Sequence, residues 1–372
     1  MVHGNGRKHI LGILVLSLGI NSCATIAGDN DSGAAAQKTA LRIDFVETLR
    51  NEASLRGERF NEIARAADKV AALQMLQRPS SVYADPFRVY VTDTYRTDEY
   101  VTTPPTILQG DYSARIFVFD RGRQTVKIFG PPPSPPSPAP TDDVKLLSPT
   151  AIAVDATGVI FVADAQQGWV FGFDRNGRML MTIGKGGELA RPKGLAVDTL
   201  RNRVYVADSS ARLVKAYTSH GQERVYTSEG YRRLELGRSS NPSENFATPR
   251  ALALDRLGNI YVLDSKDLRV FVYDHDGKFR RMFPVADAGG GISQRLRGIA
   301  VDSEGHVYVT DVLNNRILIF SREGRFLQTW GKTGSLIGDF WTPSGIFIDA
   351  RDNIYIADET NGRIQVYQYG KQ

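Results

Sequence analysis

Six times along the chain a short apolar run opens at or near a proline and ends in aspartate. It then turns and is followed by a second apolar run that also ends in aspartate. The opening halves are Pro79–Asp85, Pro149–Asp155, Pro192–Asp198, Pro249–Asp255, Leu296–Asp302 and Pro343–Asp349. In the fourth copy Ala251–Leu254 leads into Asp255–Asn259, which has the aspartate and glycine chemistry of a tight turn. Ile260–Leu263, Arg269–Tyr273 and Phe279–Phe283 follow, with the hairpin signal Asp274–Gly277 between the last two. Four short runs rich in β-branched and aromatic residues, separated by turns, predict an antiparallel four-stranded meander.

From Pro149 onward the copies start 43, 57, 47 and 47 residues apart, and the first gap, from Pro79, is 70. Four strands in roughly 40–50 residues is the period of a propeller blade. The expected fold is therefore all-β, a six-bladed propeller of four-stranded antiparallel blades over residues 79–372. The sixth copy runs out of chain at Gln372 after three strands, which would leave an open edge and an aggregation hazard. Leu41–Thr48 alternates apolar and polar residues like the missing strand, so it is assigned to the last blade as a ring-closing clasp. Phe60, Ile63, Ala67, Val70 and Leu73 fall at helical spacing and predict one short amphipathic helix, so that residues 41–78 hold the closing strand and a helix.

Gly298–Asp302, Ile354–Asp358 and Asn315–Phe320 closely resemble the phrases of NHL repeats, in particular those of six-bladed NHL propellers of bacterial lipoproteins. The resemblance covers about residues 41–372 and is specific for fold. It implies no single function, because such propellers include protein binders, RNA binders and enzymes.

The N-terminus has the parts of an export signal: Arg7 and Lys8, the apolar stretch Ile10–Ile20, then Asn21, Ser22 and Cys23. Eleven apolar or small residues are too few to span a bilayer. Ile20–Cys23 resembles a bacterial lipobox, which implies a signal peptide over 1–22 and diacylation of Cys23. Ordinary cleavage after Ala24 or Ala27 is the alternative. Cys23 is the only cysteine, which favours lipidation and excludes disulfides, CxxC redox motifs and cysteine metal cages. Residues 23–40 then read as a lipid-anchored flexible tether. An exported protein anchored in the bacterial cell envelope is expected, and Ala24 after the cysteine favours the outer membrane. Removing Arg7 and Lys8 with the signal leaves 44 basic against 41 acidic residues, a net +3 that does not favour nucleic acid.

In a propeller the first strand of each blade lines the central channel. The residue after the repeat's proline position is then a ring around one mouth: Ser80, Thr150, Lys193, Arg250, Arg297 and Ser344. Three consecutive blades contribute a cation and three a hydroxyl, a pattern suited to an anion. The competing reading is architectural, because Asp93, Asp164, Asp208, Asp264, Asp311 and Asp358 should end on the same face and either pair with these cations or cap turns. The next residue is always small (Ser81, Ala151, Gly194, Ala251, Gly298, Gly345), as crowding around one axis requires. Recurring Arg115, Arg212, Arg269, Arg316 and Arg363 are expected to tie neighbouring blades together.

The insertions Thr94–Ala114, Pro131–Pro140 and Thr227–Ala247 are placed on the mouth's face, with Tyr95, Arg96, Tyr100, Tyr231, Arg232 and Arg233 as contact residues. His3 and His9 lie in the signal, and His220, His275 and His306 lie outside the mouth ring, which disfavours a three-histidine zinc site. No GxSxG elbow, HExxH or phosphate-cradling glycine loop is present, and Gly289–Gly291 reads as a flexible loop. No cofactor or metal is expected. The favoured reading is a non-enzymatic lipoprotein, a monomeric ring within a larger complex, that binds an envelope protein or an anionic ligand. The alternative is a hydrolase or lyase of the NHL or gluconolactonase-like group acting in the channel.

Overall fold

The computed structural model describes residues 41–55, 75–96, 112–130, 146–286 and 295–370. They form six four-stranded antiparallel sheets and one extra two-stranded hairpin. The first strands are Pro79–Ala84, Pro149–Val154, Pro192–Asp198, Pro249–Leu254, Leu296–Val301 and Pro343–Ile348, each at one edge of its sheet and packed against the first strands of its two neighbours. The protein is an all-β six-bladed propeller. The expected helix over residues 60–73, the Pro131–Pro140 run, Gly289–Gly291 and the signal and tether all lie outside the described residues.

The core is divided into six apolar wedges, one between each pair of adjacent blades. Alternation along the second and third strands sends one set of side chains to each neighbouring wedge. In blade five, Val307 and Val309 pack toward blade four while Tyr308 packs toward blade six. The aspartate that ends each first strand locks the turn below it. Asp155 Oδ1 accepts the backbone N–H groups of Thr157, Gly158 and Val159, each at 2.9 Å. In four other blades the second oxygen also accepts a buried tyrosine hydroxyl: Tyr90 to Asp85 at 2.8 Å, Tyr261 to Asp255 at 3.5 Å, Tyr308 to Asp302 at 3.1 Å and Tyr355 to Asp349 at 3.0 Å. The repeat's recurring Asp and Tyr are thus one device that fixes the turns on the face away from the mouth.

Closure follows the expected route. Arg42–Leu49 pairs antiparallel with Arg363–Gly370, from Arg42 opposite Gly370 to Leu49 opposite Ile364, and completes blade six as its outermost strand. Leu49 is fully buried in the wedge between blades six and one, and Phe45 packs edge-on to Tyr367 at 5.5 Å.

Blade three differs from the expected arrangement. Residues Thr227–Ala247 do not form one loop between blades: Arg224–Thr227 pairs with Gly230–Arg233 as a separate hairpin, followed by a fourth strand of two residues, Glu235–Leu236. The hairpin is therefore inserted between the third and fourth strands, where the chain turns on the face opposite the mouth. Its tip rests on blade four's Asp274–Gly277 turn, with Ser228 N donating to Asp276. Tyr231, Arg232 and Arg233 thus lie on the far face, and only residues 237–248 return to the mouth.

Removing Leu41–Thr48 strips the last blade of its outer strand, whereas removing Gly28–Lys38 touches no strand of the ring. The first deletion is expected to lower the melting temperature by many degrees and the second by almost nothing, as read by thermal unfolding. Equal melting temperatures would contradict closure by this strand.

Candidate functional site

All six residues that follow the repeat's proline position line one central cavity of about 560 Å³. The position just inside them explains why side chains of any size are tolerated at the mouth and not below it. A Cβ on Gly345 would lie 2.7 Å from Ser81 Cα, and one on Gly298 would lie 2.6 Å from the Ser344 carbonyl oxygen. Neighbouring first strands come close to backbone contact there. A register shift in each first strand at this level turns the preceding residue toward the mouth.

The hydroxyls and the cations do different things. Ser344 Oγ donates to the Pro79 carbonyl at 3.0 Å, Ser80 Oγ to the Pro149 carbonyl at 3.2 Å, and Thr150 Oγ1 to the Pro192 carbonyl at 3.1 Å. Each hydroxyl therefore staples its blade to the next, and its one donor is occupied. In blade five, second-strand Thr310 makes the equivalent stitch, accepting from Gly298 N and donating to the Ser344 carbonyl, both at 2.8 Å. Blades three and four carry Lys193 and Arg250 at the staple position.

The aspartates that end the second strands are fully buried and do not pair with the mouth cations. They hold the chain entering each blade: Asp93 Oδ1 accepts from Gln77 N at 2.9 Å and Arg78 N at 2.7 Å, and Asp264 Oδ2 accepts from Ala247 N at 2.7 Å and Thr248 N at 2.9 Å. Three of the recurring arginines serve the same aspartates within their own blades, whereas Arg269 turns its guanidinium to Met282 Sδ at 3.8 Å. Arg115 pairs with Asp93 at 2.9 Å, Arg316 with Asp311 at 3.2 Å and Arg363 with Asp358 at 2.8 Å. Arg363 also donates to the Ser335, Leu336 and Asp339 carbonyls of the loop arriving from blade five, which is how it ties blades together. Arg212 is out of register, because Leu213 is the residue opposite Asp208 and Arg212 sits in the turn at φ +58°.

Glu359, which the sequence did not bring forward, is the cavity's one lining carboxylate among the described residues. It is buried and takes both Arg297 and Arg78, the latter at 2.8 Å. Arg297 is thereby paired, although the Arg78–Glu359–Arg297 cluster keeps a net positive charge. Lys193 and Arg250 have no ion pair or side-chain hydrogen bond among the described residues, and both feel burial and like charge. Burial first, then the charges of Arg250, Arg191 and Arg297, push the Lys193 amine down to about 8. Burial first, then Arg297, Arg295 and Arg191, push Arg250 down to about 10. Arg78, Arg191 and Arg295 precede the repeat's proline position in blades one, three and five, a second set of bases that the same alignment would have shown.

Below the polar rim the cavity is apolar, lined by Ala153, Ala253, Ala300 and the tilted pair Tyr83 and Phe347, whose ring centroids are 4.5 Å apart. Burial pushes the Tyr83 phenol up to about 12, with Asp85 and Asp155 adding to the shift. The backbone of Arg88–Arg96 and Tyr112–Asp120 extends blade one above the rim, and Thr94 lines the cavity. Tyr100 and most of that insertion lie outside the described residues. His220, His275 and His306 sit at turns of the far face.

A family model described as a 6-bladed beta-propeller matches residues 293–371, the last two blades. No curated protein matches the chain. Among solved structures, a Bacteroides thetaiotaomicron protein of unknown function aligns with TM-score 0.52 at 15% identity, covering 79% of this chain and 70% of the other. A Xanthomonas campestris gluconolactonase aligns with TM-score 0.49 at 14% identity over 79% and 98% of the two chains. A Staphylococcus aureus virginiamycin B lyase aligns with TM-score 0.48 at 10% identity over 78% and 84%. At such identities the likeness is one of fold.

The depressed Lys193 amine has a consequence for stability. Between about pH 8 and its ordinary 10.5, the unfolded chain holds a proton that the folded protein has released, so this group's contribution to stability rises with pH across that window. Lys193→Met is expected to be more stable than the parent at pH 7, with the gap closing from pH 8 upward, as read by denaturant unfolding at several pH values. A gap that does not change with pH would contradict an uncompensated charge at this site.

Proposed function

We propose that the protein is a lipid-anchored envelope lipoprotein whose propeller is a non-enzymatic binding module, and that its mouth takes an anionic group, carboxylate or phosphate, of a ligand or partner protein. The observation that carries the reading is the pair Lys193 and Arg250. Two blades give up an inter-blade staple, a hydrogen bond contributing about 0.5–1.5 kcal/mol, to place half-buried cations, unpartnered among the described residues, beside each other. Such a site lowers the free energy of an incoming anion by removing the protein's own repulsion. Arg191 stands near enough to shift both groups and Arg295 near enough to shift Arg250, so they extend the attraction outward and speed capture. Glu359 holds Arg297 and Arg78 in place, which makes it a positioning group and leaves the channel no free carboxylate for acid–base chemistry among the described residues.

The envelope location rests on Cys23 and the export signal before it. Replacing Cys23 with Ser should abolish acylation and release the protein from membranes. Continued high-salt-resistant fractionation with membranes, with unchanged processing, would contradict the anchor.

For the mouth, an anion at a hundred times its dissociation constant should stabilise the ring by about 2.7 kcal/mol, a rise in melting temperature on the order of 5 °C. Citrate and inorganic phosphate serve as probes. Lys193→Glu/Arg250→Glu/Arg297→Glu should abolish that rise while leaving a folded ring, and raised salt should weaken binding to the parent. A stabilisation that survives the triple reversal would remove the mouth as the binding site.

A further inference from the structure

The face opposite the mouth carries the turns between first and second strands. Their tips, two residues after each aspartate, are Phe87, Thr157, Leu200, Leu257, Glu304 and Arg351. Phe87, Leu200 and Leu257 are 65%, 80% and 66% exposed and belong to none of the six wedges. The blade-three hairpin adds Tyr226, 76% exposed, whose ring lies tilted against that of Tyr231 with centroids 4.8 Å apart. Scattered apolar residues on a surface need no explanation, but several at the tips of parallel turns share one plane.

Charge on this face is sorted by depth. The turn aspartates point inward: Asp155, Asp198 and Asp255 all accept backbone amides of their own turns. The bases stand outward, with Arg123, Arg175, Arg178, Lys278 and Arg351 all exposed. The exposed acids of the face are Glu229, Glu304 and Glu323. With the turn aspartates drawn inward, the face presents mostly cations to whatever touches it.

The chain enters the ring from this side. Arg42 lies opposite Gly370 at the far-face end of blade six and Leu49 opposite Ile364 at the mouth end, so the described chain begins, at Leu41, on the far face. Leu41 is 18 positions after Cys23, a stretch that spans at most about 60 Å when fully extended.

We infer that the far face seats on an anionic phospholipid surface, with the apolar tips entering the headgroup layer, the outward bases meeting lipid phosphates, and the mouth turned away from the membrane. Shallow apolar insertion combined with attraction to anionic lipid is how peripheral proteins adsorb. A tether leaving the same face would hold it within reach, so weak contacts suffice. The docking rests on the turn tips and outward bases. Only its identity with the anchoring membrane rests on the lipid reading of Cys23.

Residues 41–372 contain every strand of the closed ring and no acylated cysteine, so they test the face apart from the anchor. In cosedimentation they should bind phosphatidylglycerol-rich vesicles, bind less at high salt, and ignore pure phosphatidylcholine vesicles. Phe87→Ser/Leu200→Ser/Leu257→Ser changes only exposed side chains. It should keep the melting temperature and weaken vesicle binding at least about tenfold. Three results would overturn the inference: no binding to the anionic vesicles, binding unchanged in the folded triple-serine protein, or binding abolished by Lys193→Glu/Arg250→Glu while the triple-serine protein still binds. Failure of the Cys23 assignment would leave these outcomes unaltered.

Discussion

Six first strands converge on one axis, and the near contact of their backbones there governs the rest of the molecule. Gly345 against Ser81 and Gly298 against Ser344 leave no room for a Cβ, so the position below the mouth is small in every blade. The residue before it is displaced toward the opening and is free to vary. That freedom is used in two ways. Blades six, one and two spend it on hydroxyls that staple one blade to the next, and blades three, four and five spend it on bases. One steric constraint therefore produces both the cohesion of the ring and the charge at its mouth.

The two halves of the mouth are not energetically alike. Burying a charge without a partner is costly, and proteins usually avoid it by pairing or by shifting the group toward neutrality. Arg297 is paired, through Glu359. Lys193 and Arg250 are shifted, in the direction that disfavours their charge. The buried Asp ring would have been the simplest source of relief, yet each of its members is already saturated by the amides that open its blade and, in blades one, five and six, by a third-strand arginine. The architecture thus keeps the carboxylates of the Asp ring from Lys193 and Arg250, which is what makes these two groups the seat of the proposed anion site.

Most of the fold could be read from the chain because a propeller is built from local meanders, each written out in about 47 residues with the same turns. The clasp was legible for the same reason, since a strand missing at one end must be supplied from the other. What failed were features without a local code. The fourth strand of blade three has two residues, too short to show a period, so in the sequence the hairpin before it is indistinguishable from a loop on the mouth's face. Arg212 looked like its counterparts because a one-residue shift into a left-handed turn leaves no mark on composition. Glu359 follows a repeat aspartate, but its partners are 62 and 281 positions away and meet it only when the ring closes. The hydroxyls at the mouth were grouped with the cations by position, whereas only contact with the next blade's carbonyl separates a staple from a ligand group.

The premise of the binding reading is positive charge at the mouth that no ion pair of Lys193 or Arg250 compensates among the described residues. Its most direct test is the proton affinity of one amine: the titration of Lys193 Nζ, followed by NMR on the lysine side chains with Lys193→Met as the assignment control, without added anion and with saturating citrate. The account predicts a midpoint near 8 in the free protein, moving upward toward the ordinary 10.5 when the anion is bound. A midpoint already at the ordinary value in the free protein, unmoved by anion, would contradict it.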